Sequence, residues 1–453
     1  MNKVKKKEIL SYLFLFLVIF IYNSIFDTTY DHIIDFTHCY SISNGLKIYQ
    51  DFNIVIGPIY PIFVSLFLMI LGKNLLVFNI INSLFVVGIY RIIKKDNPNS
   101  LSLLLFILFQ NVLIAKYNTF SLLLFYIIYY LEKKEDEKQD YLIGIFLSLL
   151  FFTKISIGIF LIIPTLLIHY KNPKKIRKRF LSFILLSSII LFLLLITNIL
   201  PGFMNYTILG LFDFRNSTSS IHGTHNFNFL IIVLIIIGIY LFFHRKKDKM
   251  SWYLISFLIM SYPIFDTTHI LLAIFPTLVY FIDTIPRKEN TENIFKGLAI
   301  LSYVLVLFTI KDHSYLTKMD CKHKYCSNNN IYNETFQNVH IINSILEKKY
   351  QNYRKFYFNY DAYFYKLDLK ENINKYDFIW EGNMGYQGEE NYQKEIHNIC
   401  QKEKCLFVLD NRMMNQKKKE SISMKLIQYV RNNYQKELVS EIPYQNIEIL
   451  KSE

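Results

Sequence analysis

Long apolar runs constrain this chain more than any other feature. "ILSYLFLFLVIFIYNSIF" near the start and "FNFLIIVLIIIGIYLFF" past the middle are two of many, separated by short basic clusters. A bilayer is crossed by a helix of ~20 apolar residues. So many runs near that length predict a polytopic helical membrane protein rather than a soluble core. The first run follows "MNKVKKKE" and lacks a small-residue cleavage site, so it is read as an uncleaved first helix.

The formal net charge of +14 would point a soluble protein toward an anionic partner. Here Lys and Arg gather in short loops, where they set orientation. No basic-aromatic module accompanies them, which argues against a nucleic-acid partner. With Lys3, Lys5, Lys6 and Lys7 inside, the next segment, "DTTYDHIIDFTHCYSISNGLKIYQDF", lies outside. The run "IYPIFVSLFLMIL", about 13 residues, is short of a span. Letting it span would also put the basic "RIIKK" outside, so it is expected to be an interfacial helix.

Spans then follow near 75–93, 100–116, 118–132, 141–154, 155–170, 180–200, 228–244, 251–264, 267–284 and 296–311, making about eleven with the first. The inner loops collect "EKKEDEK", "KNPKKIRKR", "HRKKDK" and "PRKENTENIFK". The outer side collects the polar chemistry. It holds almost no cations beyond Lys47, Lys116, Lys154 and Arg215. Its polar residues are Asp27, Asp31, Asp35 and Asp51 in the first loop, then Lys154 at a helix end. Asp213 and Arg215 follow in "LFDFRNSTSSIHGTHNF", and Asp266 and His269 in "YPIFDTTH". Solvated outer-loop charge is the plain account of any one of them.

Residues 1–311 are thus expected to form an all-α transmembrane domain, and 312–453 a small extracytoplasmic α/β domain. The tail alternates helix-like segments ("FQNVHIINSILEKKY", "NYQKEIHNICQKE", "SMKLIQYVRNNYQKEL") with strand-like ones ("KFYFNY", "YDFIW", "CLFVLD", "NIEIL"). Its cysteines fall in two pairs, Cys321 with Cys326 and Cys400 with Cys405, open to local disulfides, to free thiols or to zinc. Cys39 would stay unpaired. "EGNMGYQGEENY" fits no nucleotide-binding pattern and reads as a tight turn before a helix.

Sugar transfer from a lipid phosphate would need such an outer rim. A carboxylate takes the proton of the acceptor hydroxyl as it attacks the anomeric carbon. A cation neutralises the departing phosphate, which Lys154 at membrane depth would supply, or a divalent metal in its place, although Lys154 equally snorkels to water unaided. Asp27, Asp31 and Asp35 are spaced i, i+4, i+8 and share a helical face. A His–Asp pair three residues apart, Asp266 and His269, is a further candidate for sugar hydroxyls, phosphate or metal, although Asp266 equally serves as a helix cap. Tyr117 and Asn118 start a helix on the same rim, where packing is the plain account of both.

The chain resembles GT-C-type integral-membrane glycosyltransferases, the broad group that includes protein O-mannosyltransferases and the lipid A aminoarabinose transferase. The first loop carries the likeness, with Asp31, Gly45 fourteen residues on, and "IYQDFNIVIGP". "YNTFSLLLFYIIYYL", "FFTKISIG" and "YPIFDTTHILLAIFP" are similar in the same order, and "YDFIWEGNMGYQG" more faintly. The resemblance implies a GT-C-like fold with juxtamembrane helices in the first outer loop. It also implies a polyprenyl-phosphate-sugar donor and a catalytic carboxylate at the end of the first helix, matched here by Asp31. Many members have two adjacent acids there. Here Tyr30 and His32 flank Asp31, which leaves Asp27 and Asp35 as alternative bases.

The expected function is therefore a plasma-membrane glycosyltransferase with its N-terminus inside, its partners being the donor, membrane lipids and an extracytoplasmic acceptor. Asp31 is the base, and Lys154, Asp266, His269, Tyr117, Asn118 and Asp51 are the binding residues. Two other classes compete: a transporter or flippase of lipid-linked glycans, and a non-catalytic envelope assembly protein. A transporter would favour internal repeats and ionisable groups at mid-membrane, and neither is visible.

Overall fold

The computed structural model describes residues 3–26, 30–96, 116–134, 136–210, 225–244, 248, 250–259, 267–284, 334–358, 362–377, 379, 383–410, 423–437 and 447–452. Asp27, Asp213, Arg215, Asp266, Cys321, Cys326, the span at 296–311 and all but the last residue of that at 100–116 lie outside them. The chain is mostly helical with one small sheet. It divides into two compact units, one of Met1–Asp35, Gly57–Leu193 and Thr224–Ile331, the other of Phe36–Ile56, Leu194–Gly223 and Tyr332–Glu453.

The first unit is built from apolar helices. They are α1 (Lys3–Ile21), the start of α2 (Tyr30–Ser43), α3 (Ile59–Leu71), α4 (Leu75–Asp96), α5 (Lys116–Lys134), α6 (Glu137–Phe151), α7 (Ile155–Ile168), α8 (Pro173–Ile196), α9 (His225–His244), α10 (Ser251–Leu258) and α11 (Thr267–Thr284). A π-helical turn, Tyr22–Phe26, ends α1. Local chemistry sets several starts. Asp136 caps α6 by accepting the Lys138 amide at 3.1 Å, and Pro173, with no amide to leave unpaired, opens α8. The run expected to be interfacial is the 13-residue α3.

Among the described residues, two helices are long and apolar enough to cross a membrane, Leu75–Lys95 and Pro173–Ile196. Other expected spans are shorter helices, such as Ile155–Ile168. The two long helices differ in burial. Of the apolar window, 61% is buried in the first and 22% in the second. Phe180, Leu185 and Phe192 on α8 are all more than half exposed.

Helix α4 packs against α1, α3 and α5, and α6 joins α5 to α7. Gly144 lets α8 press on α6, since a Cβ there would stand 2.1 Å from the Arg179 carbonyl oxygen. That approach seats the buried Arg179 between two carboxylates. Its Nη1 donates to Glu132 Oε2 at 2.8 Å, and Nη2 is 2.7 Å from Asp140 Oδ1. His169 contacts the other Glu132 oxygen, and the Tyr253 hydroxyl donates to Glu132 Oε2 at 2.7 Å.

The second unit holds a four-stranded sheet in the order β1-β2-β4-β3: Arg354–Phe358, Cys405–Asp410, Ile447–Lys451 and Gln435–Glu437. β1 and β2 are parallel, and β4 runs antiparallel to β2 and β3. The central β2 reads "CLFVLD", and its residues 405–409 are wholly buried, as a strand covered on both faces requires. Helices α12 (Glu334–Lys349), α13 (Ala362–Leu369), α14 (Gly388–Cys400) and α15 (Met424–Asn433) accompany it. Phe356, Phe407, Ile396, Leu426 and Val430 share one core. Cys400 and Cys405 form a disulfide between α14 and β2.

Two readings of the tail change. The described residues of "YDFIW" form no strand, because the Asp377 carboxylate closes a turn on the Asn374 amide at 2.8 Å. "QKE", expected to extend a helix, is β3, since Gln435 to Glu437 pair with β4.

This unit also takes in loop segments from earlier in the chain. The Asn44 side chain donates to Asn372 Oδ1 at 3.0 Å, and that of Asn53 donates to the Asn383 carbonyl. Asn205 accepts the Tyr386 amide at its side-chain oxygen at 3.1 Å. His38 stacks on Phe52 and meets the Tyr363 hydroxyl at 3.2 Å, and burial pushes the imidazole down to about 3, which keeps it neutral.

Candidate functional site

The site is built from three places in the first unit: the start of α2, the start of α5, and the α6–α7 junction. Asp31 sits in the first turn of α2, where a negative charge suits the helix dipole, and is exposed. Asp35 lies one turn on and is 3% exposed. Its Oδ2 accepts the Lys116 amide at 2.6 Å, and the carboxyl also accepts the Tyr117 amide. The opening amides of a helix have no partner within it, so the first residues of α5 are available to a carboxyl from α2.

Burial comes first among the influences on Asp35, followed by the negative charge of Asp31. Together they push it up to about 8, against the opposing pull of the two amides and the Lys116 ammonium. Asp35 therefore keeps its proton at neutral pH. An exposed acid and a buried protonated acid thus share one helix face.

Lys116 is itself 3% exposed, and its ammonium donates to Asn23 Oδ1 at 3.0 Å on the π-helical turn. Two residues along α5, the buried Asn118 accepts the Lys154 ammonium at 2.7 Å. That ammonium also stands 5.4 Å from the centre of the Tyr117 ring, in cation–π range.

Lys154 is held by backbone. It is the residue before α7, in extended conformation, immediately after a turn in which the Thr153 and Lys154 amides both bond the Leu150 carbonyl. The chain entering α3 braces that turn. Gly57 donates to the Thr153 carbonyl at 3.1 Å and Ile59 to that of Phe152 at 3.2 Å. No side chain fits at Gly57, because a Cβ would stand 1.9 Å from the Phe152 oxygen.

Of the residues expected from sequence, Asp31, Asp35, Tyr117, Asn118 and Lys154 thus belong to one connected set. Lys116 and Asn23 join them. Lys116 had been legible only as an outer cation, and nothing in the sequence singled out Asn23. His269 is half-buried near the start of α11, while its expected partner Asp266 lies outside the described residues. Asp51 belongs to the other unit, where its carboxylate closes a turn on the Lys47 amide at 2.6 Å.

Among the described residues, no three His, Cys, Asp or Glu side chains group as a metal site. The set offers a carboxyl pair carrying one negative charge, two ammonium groups and a side-chain amide. Such a set can take a proton from a hydroxyl and stabilise an anion. Compared with protein families, curated proteins and solved structures, the chain matches none.

Proposed function

We propose that this protein is a polytopic membrane glycosyltransferase of GT-C type, with about eleven spans, that moves a sugar from a polyprenyl-phosphate donor to an extracytoplasmic acceptor. The observation that carries this reading is the junction of the Asp31–Asp35 pair with Lys116, Tyr117, Asn118 and Lys154.

In the reaction, the acceptor hydroxyl oxygen bonds to the anomeric carbon while that carbon's bond to the phosphate oxygen breaks. The bonding pair leaves with the polyprenyl phosphate, and the hydroxyl proton passes to Asp31. Asp35, protonated and buried, keeps one negative charge on the pair rather than two. Lys154, steadied by Asn118 and Tyr117, meets the charge that grows on the phosphate.

Further features support the setting. An apolar helix as exposed as α8 suits lipid better than water. The tail disulfide suits an oxidising compartment. The segments Phe36–Ile56, Leu194–Gly223 and Tyr332–Glu453, which the charge bias assigns to one side, fall in a single unit.

The test is transfer of radiolabelled sugar from a panel of polyprenyl-phosphate donors in membranes, comparing wild type with Asp31→Asn at matched expression. Transfer by the wild type and its loss in the variant are expected. Transfer that survives the substitution moves the base to Asp27, or to an Asp35 whose carboxyl is less strongly raised once the Asp31 charge is gone. Absence of transfer from every donor and acceptor tried, with folded protein, sinks the enzyme reading in favour of a transporter or assembly protein.

A further inference from the structure

Helix α4 carries three polar side chains near its outer-loop end, Asn79, Asn82 and Ser83, all buried. Two are fully accounted for. Asn82 donates to the Phe78 carbonyl at 2.8 Å and accepts the Tyr60 hydroxyl at 3.1 Å. Ser83 donates to the Asn79 carbonyl at 2.7 Å and accepts from the Asn23 side chain at 3.3 Å.

Asn79 differs. Its amide nitrogen donates to the Asn23 carbonyl and to Ser24 Oγ, both at 3.2 Å, while its side-chain oxygen accepts nothing among the described residues. It is 1% exposed. A buried acceptor left bare in an apolar helix is unfavourable and calls for a donor that arrives with a ligand or a water.

The surroundings indicate which. Asn79 and Ser83 both bond the π-helical turn at Asn23, and such turns recur at functional sites. Asn23 also takes the Lys116 ammonium, and the Lys116 amide bonds Asp35. The Asn79 side chain is therefore three contacts from Asp35, through Asn23 and Lys116.

We propose that Asn79, with Asn23, Ser83 and Lys116, forms the site that reads the hydroxyl groups of the donor's sugar, with Asn79 Oδ1 accepting one of them. This rests on the glycosyltransferase reading and adds to it the residues that select the sugar. A site built to accept a hydroxyl discriminates strongly against an analogue lacking it, because the acceptor is again left bare.

The experiment measures binding, independently of turnover, to the purified full-length protein in detergent. The probes are farnesyl phosphate, farnesyl phosphohexoses, and versions of the best hexose lacking one hydroxyl each. Wild type is expected to bind the hexose form at least about tenfold more tightly than farnesyl phosphate. It should lose most of that margin for one deoxy analogue. Asn79→Leu, and the milder Asn79→Ser should the first not fold, are expected to bind farnesyl phosphate as wild type does and to treat that deoxy analogue and its parent alike.

Unchanged discrimination in a folded Asn79 variant overturns the inference and leaves a packing cluster filled by water. Equal wild-type binding with and without sugar overturns it too, while the enzyme reading stands on its transfer assay. Wild-type protein that binds none of the lipids sinks the enzyme reading and this inference with it.

Discussion

Asp31 and Asp35 stand one turn apart on α2, the first exposed and the second buried beneath the amides that open α5. Burial and the neighbouring charge raise the Asp35 carboxyl to about 8. In the unfolded chain it titrates near ~3.9. Between those values the folded protein holds a proton that the unfolded protein has released. Asp35 therefore costs no stability below about pH 4, costs progressively more up to about pH 8, and costs a constant amount above that. Thermal unfolding in detergent across this range is expected to show wild type losing stability relative to Asp35→Asn as pH rises. Wild type that holds or gains stability relative to Asp35→Asn as pH rises would mean that Asp35 is not a buried, protonated acid.

The contact between Lys154 and Asn118 makes a separate prediction about rate. Lys154→Met is expected to reduce transfer on the order of 100-fold, the usual cost of removing one group that stabilises developing negative charge. Lys154→Arg should retain part of the activity, since the cation survives while the 2.7 Å contact to Asn118 is disturbed. Asn118→Leu should reduce transfer less. In Lys154→Met it should have little further effect, because its role is to steady the ammonium. Additive losses in the double variant would show that the two residues act separately.

How far this site was legible in the sequence follows from what periodicity carries. Spacing put Asp31 and Asp35 on one helix face. It could not say that one turn of that face is open and the next is covered by α5, which decides which acid keeps its proton. Lys154 and Asn118 were each singled out at helix ends on one rim, and their contact came only from the packing of α5 against α6. Asn23 carried no signal, because an asparagine near the end of an apolar run is as common in a loop. In the tail, "CLFVLD" announced its strand by composition. "QKE" did not, since three polar residues become a strand only when β4 offers them partners.

Gly57 links the fold to the site. A Cβ there would lie 1.9 Å from the Phe152 oxygen, backbone against side chain with no flexible group to yield. Gly57→Ala must push the stretch before α3 away from the turn that presents Lys154. Overpacking of this kind costs roughly 1–3 kcal/mol, occasionally more. The expected result is a lowered melting temperature together with a fall in transfer per folded molecule, since the turn moves as well. Gly57→Ala protein with wild-type stability would mean that the stretch does not brace the α6–α7 junction.

Arg179 makes the opposite kind of prediction, a large loss of stability without a loss of chemistry. It is buried between Glu132 and Asp140, and the His169 and Tyr253 contacts complete the Glu132 shell. Arg179→Met strands two buried carboxylates, a change that costs about 3–5 kcal/mol. Replacing Arg179, Glu132 and Asp140 together by apolar residues of similar size removes the charges along with their partner, and is expected to recover most of that loss. Glu132 is in the last turn of α5 and Lys116 in its first, sixteen residues away, which at 1.5 Å per residue is about 24 Å. At that distance transfer per folded molecule should be unchanged in both variants. Unfolding curves in detergent, read beside transfer rates normalised to folded protein, separate the two effects. A triple variant no more stable than Arg179→Met would show that the ion pairs themselves, rather than relief of stranded charge, hold α5, α6 and α8 together.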